Sequence, residues 1–294
     1  MSMVNNAHPG SSLILLNLID RALVRRGKPI ARAELLETLR PELLPKSETG
    51  AKRFESNLDF WVEEGLWLQD SEGMIFAPPQ ASEKDLPSRV LQLLIDNAST
   101  RSESAILDGT RTEPFLRAMT CLLAQRRYTF MGGESVSSSN AAEAVNSHLP
   151  GRELNESNEL STFLAYGEFL GFLEPFGKGY IVDPTLAIEP YLERIFEGGR
   201  VLPFRVFVER LGEYLPLLDE GGYRRLLEPC MENWKPDAPY EVSAALSHAL
   251  VRLESLFRLR LEKSSDDSLS MRLLLPNGVQ RSVGEIQYRT EVAV

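Results

Sequence analysis

Cysteine and histidine are scarce in this 294-residue chain, with two of the first and three of the second. Two thiols make neither a disulfide scaffold nor a zinc cluster. Cys121 and Cys230 fall in segments that read as helices, so buried reduced thiols are expected. His8, His148 and His248 lie far apart, outside any HxxxH or HExxH spacing, which favours capping or surface roles over metal ligation. Long apolar runs are absent too, none approaching the roughly 18 residues that span a bilayer. The opening stretch MSMVNNAHPGSSLILLNLID has no basic segment before its short apolar run and makes a poor signal peptide. A cytoplasmic protein without membrane contact is the expectation. Positive charge is in deficit: 32 Lys and Arg stand against 42 Asp and Glu, a net charge of −10. That disfavours a chain built to coat nucleic acid, while leaving room for one local basic face. No P-loop (GxxxxGKS/T) and no GxSxG elbow is present. The GKGY stretch at 177–180 has the glycines of a phosphate loop but sits in a hairpin turn with no helix after it. No cofactor is expected and no catalytic residue is assigned.

What is present is a repeated passage. GLWLQDSEGMIFAP (65–78) aligns without a gap on GFLEPFGKGYIVDP (171–184), an offset of 106 residues. Gly65/Gly171, Gly73/Gly179, Ile75/Ile181 and Pro78/Pro184 are identical pairs, and four further pairs stay apolar. Each copy follows a helical pattern. Phe54, Leu58, Trp61 and Val62 form one apolar stripe. Gly65 then ends the helix, because glycine tolerates the left-handed conformation of a C′ residue. Two short strands around DSEG complete the unit. Upstream, residues 12–26 and 31–40 read as two more helices. Helix, helix, helix, hairpin is the winged-helix form of helix-turn-helix. The second copy repeats it with helices at 115–125, 139–148 and 157–170. A third case is read at the C-terminus, with helices at 203–217, 220–232 and 239–256 and a hairpin in FRLRLEKSSDDSLSMRLLLP, whose second strand alternates poorly.

The expected fold is therefore mostly α with short β-hairpins, built as tandem winged helices. Residues 1–80 form the first, 81–112 a linker helix and loop, and 113–184 the second. Residues 185–202 form another linker helix, and 203–294 a C-terminal helical domain with a hairpin, the third candidate. The segment 132–138 is expected as a disordered loop.

A winged helix that reads DNA lays its third helix in the major groove. In unit one the outward face carries Lys52, Arg53, Ser56, Asp59, Phe60 and Glu63, with Asn57 at its edge. Arg25, Arg26, Lys28 and Arg32 bracket the turn between the first two helices, where phosphates could be held. Residues 1–60 hold nine Lys and Arg against seven Asp and Glu, so this is the longest stretch that is not acidic. Arg25, Arg26, Lys28, Arg32, Lys52, Arg53 and Asn57 are the candidate contacts to double-stranded DNA. The third helix of unit two, SNELSTFLAYGEFL, contains no Lys or Arg and turns Thr162, Tyr166 and Phe169 outward. Tyr166 corresponds to Phe60. Outward aromatics without basic neighbours suit either contact with a partner protein or packing against the next module of the same chain; Phe60, Tyr166 and Phe169 are the candidate partner-binding residues.

The segment FLGFLEPFGKGYIVDPTLAIEPYLERI (169–195) resembles the DpdG family of the deazapurine DNA-modification clusters, accessory proteins of phage-defence islands. The likeness covers about a tenth of the chain. Tandem winged helices in an acidic chain also resemble small accessory proteins of SMC-like complexes, which use paired winged helices for dimerisation and protein contact. These resemblances imply a non-enzymatic subunit of a DNA-acting or antiviral defence complex, held to other protein subunits. Two alternatives stand beside it. One is a homodimeric transcription regulator reading an operator through Lys52, Arg53 and Asn57. The other is a metal-dependent nuclease using Glu262, Lys263, Asp266 and Asp267.

Overall fold

The computed structural model describes residues 2–40, 47–98, 102–108, 111–126, 136–137, 141–263 and 270–289. It is mostly helical, with four small sheets among the described residues.

The first unit follows its sequence pattern closely. Ser12 caps α1 (Leu13–Arg26) by accepting from the Leu15 N–H, and Gly27, at φ +61°, ends it. Leu16, Ile19 and Leu23 of α1 are buried against α3 (Glu48–Glu63), whose Phe54, Leu58 and Trp61 are buried in turn. Helix α2 (Arg32–Leu39) packs beside both. Strands β1 (Leu68–Gln69) and β2 (Ile75–Phe76) form the hairpin, and Ile30, between α1 and α2, pairs with Ile75 on its other edge. Trp67 donates to buried Asp20 at 2.9 Å, and Asp20 also accepts from Arg89 on α4 (Leu86–Asp96) at 2.8 Å. That buried acid ties the linker helix to unit one. A short helix, α5 (Glu103–Ile106), follows.

The second unit has the same order: α6 (Glu113–Ala124), α7 (Ala141–Asn146), α8 (Leu160–Phe169), then β4 (Leu173–Phe176) and β5 (Gly179–Val182). Within the expected loop 132–138, residues 136–137 instead form β3 (Val136–Ser137), antiparallel to β5; the other positions lie outside the described residues. The two units differ in their first helix. Helix α1 leaves Ile14 74% exposed, whereas every residue of α6 is buried, because α6 is enclosed by α7 and by the later helices Gly222–Leu227 and Ala244–Ser255.

Asp183, Pro184 and Thr185 lead into α9 (Thr185–Ile188) and α10 (Leu192–Ile195). Asp183 accepts from the Thr185 backbone N–H at 2.9 Å, fixing the first turn. Its other oxygen meets Arg252, which also bonds Glu174, and His248 lies 3.4 Å away. Burial would raise this carboxyl, but hydrogen bonds from His248 and Thr185 hold it below the usual carboxylate range.

The C-terminal unit departs from expectation in its strands. Strand β6 (Val201–Pro203), α11 (Phe204–Tyr214), α12 (Gly222–Leu227), β7 (Glu241–Val242) and α13 (Ala244–Ser255) come first. Four strands follow: β8 (Leu259–Glu262), β9 (Met271–Leu274), β10 (Gln280–Val283) and β11 (Glu285–Tyr288). The expected β8–β9 hairpin is corrected. Strand β9 pairs with β10 across the Pro276–Gly278 turn, and β8 pairs with β11. Strands β8 and β9 thus lie in one arm of a longer hairpin, and β10 and β11 in the other. Strand β9 alternates poorly because it is the middle strand of its sheet, flanked by β10 and β7, with Met271, Leu273 and Leu274 all buried.

One joint recurs in all three units. After α3, Gly65 donates to the Val62 carbonyl and Leu66 to Trp61. After α8, Gly171 donates to Glu168 and Phe172 to Gly167. After α13, Phe257 donates to Glu254 and Arg258 to Leu253. The residue at the bend has φ of +91°, +81° and +58° respectively. The third unit thus keeps the helix-to-strand turn of the other two while placing phenylalanine where they use glycine.

Candidate functional site

The basic residues of unit one fall into two groups. Arg25 bonds Glu83 at 2.6 Å and 3.1 Å, and the hydrogen bond followed by the charge of Glu83 raises its pKa. Arg26 pairs with Glu34 at 2.8 Å. Arg32 bonds Asp59 and lies 3.5 Å from Glu55, both on α3, and the Asp59 hydrogen bond raises its pKa. These three arginines, expected at a phosphate-holding turn, are engaged by carboxylates of their own unit or its linker. Lys28, Lys52 and Arg53 are exposed and form no ion pair among the described residues. Ser47 caps α3 by accepting from the Gly50 N–H at 3.1 Å, which sets Lys52 and Arg53 on the open first turns.

The outward faces of α3 and α8 are not open along their whole length. Asn57 is fully buried and donates to the Pro9 carbonyl at 2.8 Å, so the expected position at the rim of a DNA-reading face is corrected. Tyr166, expected as an exposed aromatic, is also fully buried, and its hydroxyl donates to the Gly10 carbonyl at 2.5 Å. Burial pushes its phenol far above the ordinary value. Phe60 is half-buried and meets the His8 ring edge-on at 4.8 Å. It also fills the space beside Gly10, where an added Cβ would lie 2.4 Å from the ring. Phe169 is half-buried and packs edge-on against Tyr166 at 6.2 Å. The two aromatics related by the repeat offset thus converge on one glycine of the N-terminal segment.

That segment is packed onto the protein from Ser2 onward. Met3 and Val4 are fully buried, and Met3 donates to the Arg111 carbonyl at 2.7 Å. Asn6 donates to the Asn158 carbonyl at 2.8 Å and accepts from Thr162 at 2.6 Å. His8 caps the following 3-10 turn, its Nδ1 accepting from the Gly10 N–H at 3.0 Å. That bond requires the neutral ring, and burial lowers the His8 pKa to about 4. Helical periodicity could not disclose this packing, since the segment has none; the only signal was the apolar pair Met3-Val4 in a polar stretch.

The remaining candidates do not form a reaction centre among the described residues. Glu262 pairs with Arg260 at 2.7 Å on β8, and Lys263 is exposed. Asp266 and Asp267 lie outside the described residues. No group of three or more His, Cys, Asp or Glu that could hold a metal is found among the described residues. His148 contacts the Glu232 carbonyl at 2.9 Å and meets Trp234 edge-on. No described helix is long and apolar enough to cross a membrane.

A family model described as DpdG-like matches residues 1–267. The chain belongs to the DpdG-like family. The match extends well past the segment 169–195 that first resembled it, and covers units one and two entire together with most of the C-terminal unit. No curated protein and no solved structure matches this DpdG-like chain.

Proposed function

We propose that this DpdG-like chain is a non-enzymatic adaptor subunit of a DNA-modification or antiviral defence complex, made of winged-helix units and held to other protein subunits. Unit one contacts double-stranded DNA through Lys28, Lys52 and Arg53. Family membership supports the defence-complex setting. The topology supports the winged-helix reading: in each of the first two units the stretch between helices one and two adds a strand position to the hairpin, Ile30 on β2 and β3 on β5. The observation that carries the adaptor reading is the family match over residues 1–267; the burial of Tyr166 against Gly10 narrows the open faces to unit one. The third helix of unit two, without any Lys or Arg, uses its outward face inside the chain and works as framework. What remains open to DNA is the first half of α3.

The test is binding of a labelled duplex across a salt series, with wild type against Lys52→Glu/Arg53→Glu. Three phosphate contacts correspond to a slope of about −3 in log K against log salt. The double variant should lose binding. Equal binding by both proteins refutes DNA contact through α3. Retrieval of stable partner subunits from the native host supports the adaptor reading, and a chain that remains alone there refutes it. The operator-reading alternative gains nothing, because Asn57, its one amide reader, is buried.

A further inference from the structure

Residues 2–11 cross the outward faces of both third helices. The segment is held at Arg111, Asn158, Thr162, Asn57 and Tyr166, with Phe60 packed against its bend at His8 and Gly10. Phe60 and Asn57 belong to the second half of α3, the part that must enter a groove if the helix is to seat beyond its first turns. The Lys52–Arg53 turn is left uncovered. In this arrangement DNA can meet the open end of α3 but not its full length.

We propose that residues 2–11 are an autoinhibitory strap, which must leave α3 before unit one can seat on double-stranded DNA. This rests on the reading that unit one contacts DNA through Lys52 and Arg53. Two features make the strap releasable. Its backbone is tied mainly by single hydrogen bonds, each of modest net strength in water. Its closed state also leaves two buried polar atoms without a partner, Asn57 Oδ1 and Ser2 Oγ. A buried acceptor without a donor disfavours the state that buries it. Opening hydrates both atoms, so part of the apolar gain from Met3 and Val4 is offset. A strap closed most of the time lowers the apparent DNA affinity by the fraction of molecules that are open.

Asn6→Cys/Asn158→Cys provides a lock. The main-chain hydrogen bond of 2.8 Å between these residues sets the two backbones side by side, which makes them the pair to cross-link. A labelled mixed-sequence duplex is titrated into the same protein oxidised and reduced. Mass spectrometry verifies the bond, and far-UV circular dichroism verifies the fold. The reduced form should bind about tenfold more tightly. Tyr166→Phe, which removes the bond to Gly10 while keeping the ring, should bind about fivefold more tightly than wild type and exchange the Met3 and Asn6 amides faster. Equal binding by oxidised and reduced protein, with Lys52→Glu/Arg53→Glu abolishing both, overturns the strap and leaves the DNA reading standing. If neither redox form nor Tyr166→Phe binds the duplex, the DNA reading itself fails and the strap proposal falls with it.

Discussion

The recurring helix-to-strand joint allows a matched set of substitutions whose costs differ for a stated reason. Gly65, Gly171 and Phe257 occupy the same position at φ of +91°, +81° and +58°. An L-residue at positive φ costs about 1–2 kcal/mol from the clash between its Cβ and its own backbone. At Gly65 that is the whole cost of alanine, since the nearest other atom to an added Cβ is Leu93 Cδ1 at 4.0 Å. At Gly171 the same Cβ would stand 2.7 Å from the Ala187 nitrogen and 2.9 Å from the Leu186 carbonyl carbon. Those are main-chain atoms of α9, so relief requires the helix to move, adding about 1–3 kcal/mol. Phe257 already bears the backbone cost, and its side chain is 57% exposed, so glycine forfeits little packing. Its release is partly cancelled by the greater freedom of glycine in the unfolded chain, leaving a net gain of about 0.5 kcal/mol. Urea unfolding followed by circular dichroism should therefore rank the midpoints Phe257→Gly, wild type, Gly65→Ala, Gly171→Ala, from highest to lowest. A Gly171→Ala midpoint no lower than that of Gly65→Ala would refute the steric argument. A lowered midpoint for Phe257→Gly would refute the claim that the phenylalanine is strained.

Two further outcomes follow from titratable groups. The His8 pKa is lowered from 6.5 to about 4, so the unfolded chain binds more protons between these values and the contribution of His8 to stability is complete above about pH 6.5. It is lost as pH falls toward 4; amide exchange at Met3 and Asn6 should therefore quicken on acidification, with His8→Gln removing the dependence in that window. Burial pushes the Cys121 thiol up to about 12, while Cys230 is only partly buried. A thiol reagent at pH 8 should label Cys230 in the native protein and both residues only after denaturation; labelling of native Cys121 at a comparable rate would contradict its burial.

Local pattern determined a large part of this molecule. The apolar stripe of Phe54, Leu58 and Trp61, the glycine after it and the turn residues beyond specify a helix, its stop and a hairpin, because each depends on neighbours a few residues away. The repeat at 171–184 then carried the same reading to unit two, and the segment 169–195 was enough to point to the family. Lys28, Lys52 and Arg53 were legible as an exposed basic set for the same local reason. What the tertiary structure decided is pairing across distance. The 3.6-residue period separates the faces of a helix but does not say whether the face away from its own hairpin meets water or another part of the chain. Tyr166 and Asn57 sit on such faces, and a segment 156 and 48 residues away buries them. Arg25, Arg26 and Arg32 look like free cations until Glu83, Glu34 and Asp59 arrive. In the C-terminal unit, alternation marked β8 and β9 as strands, but only the fold could choose their partners, since hydrogen bonding along a strand edge is alike for every neighbour.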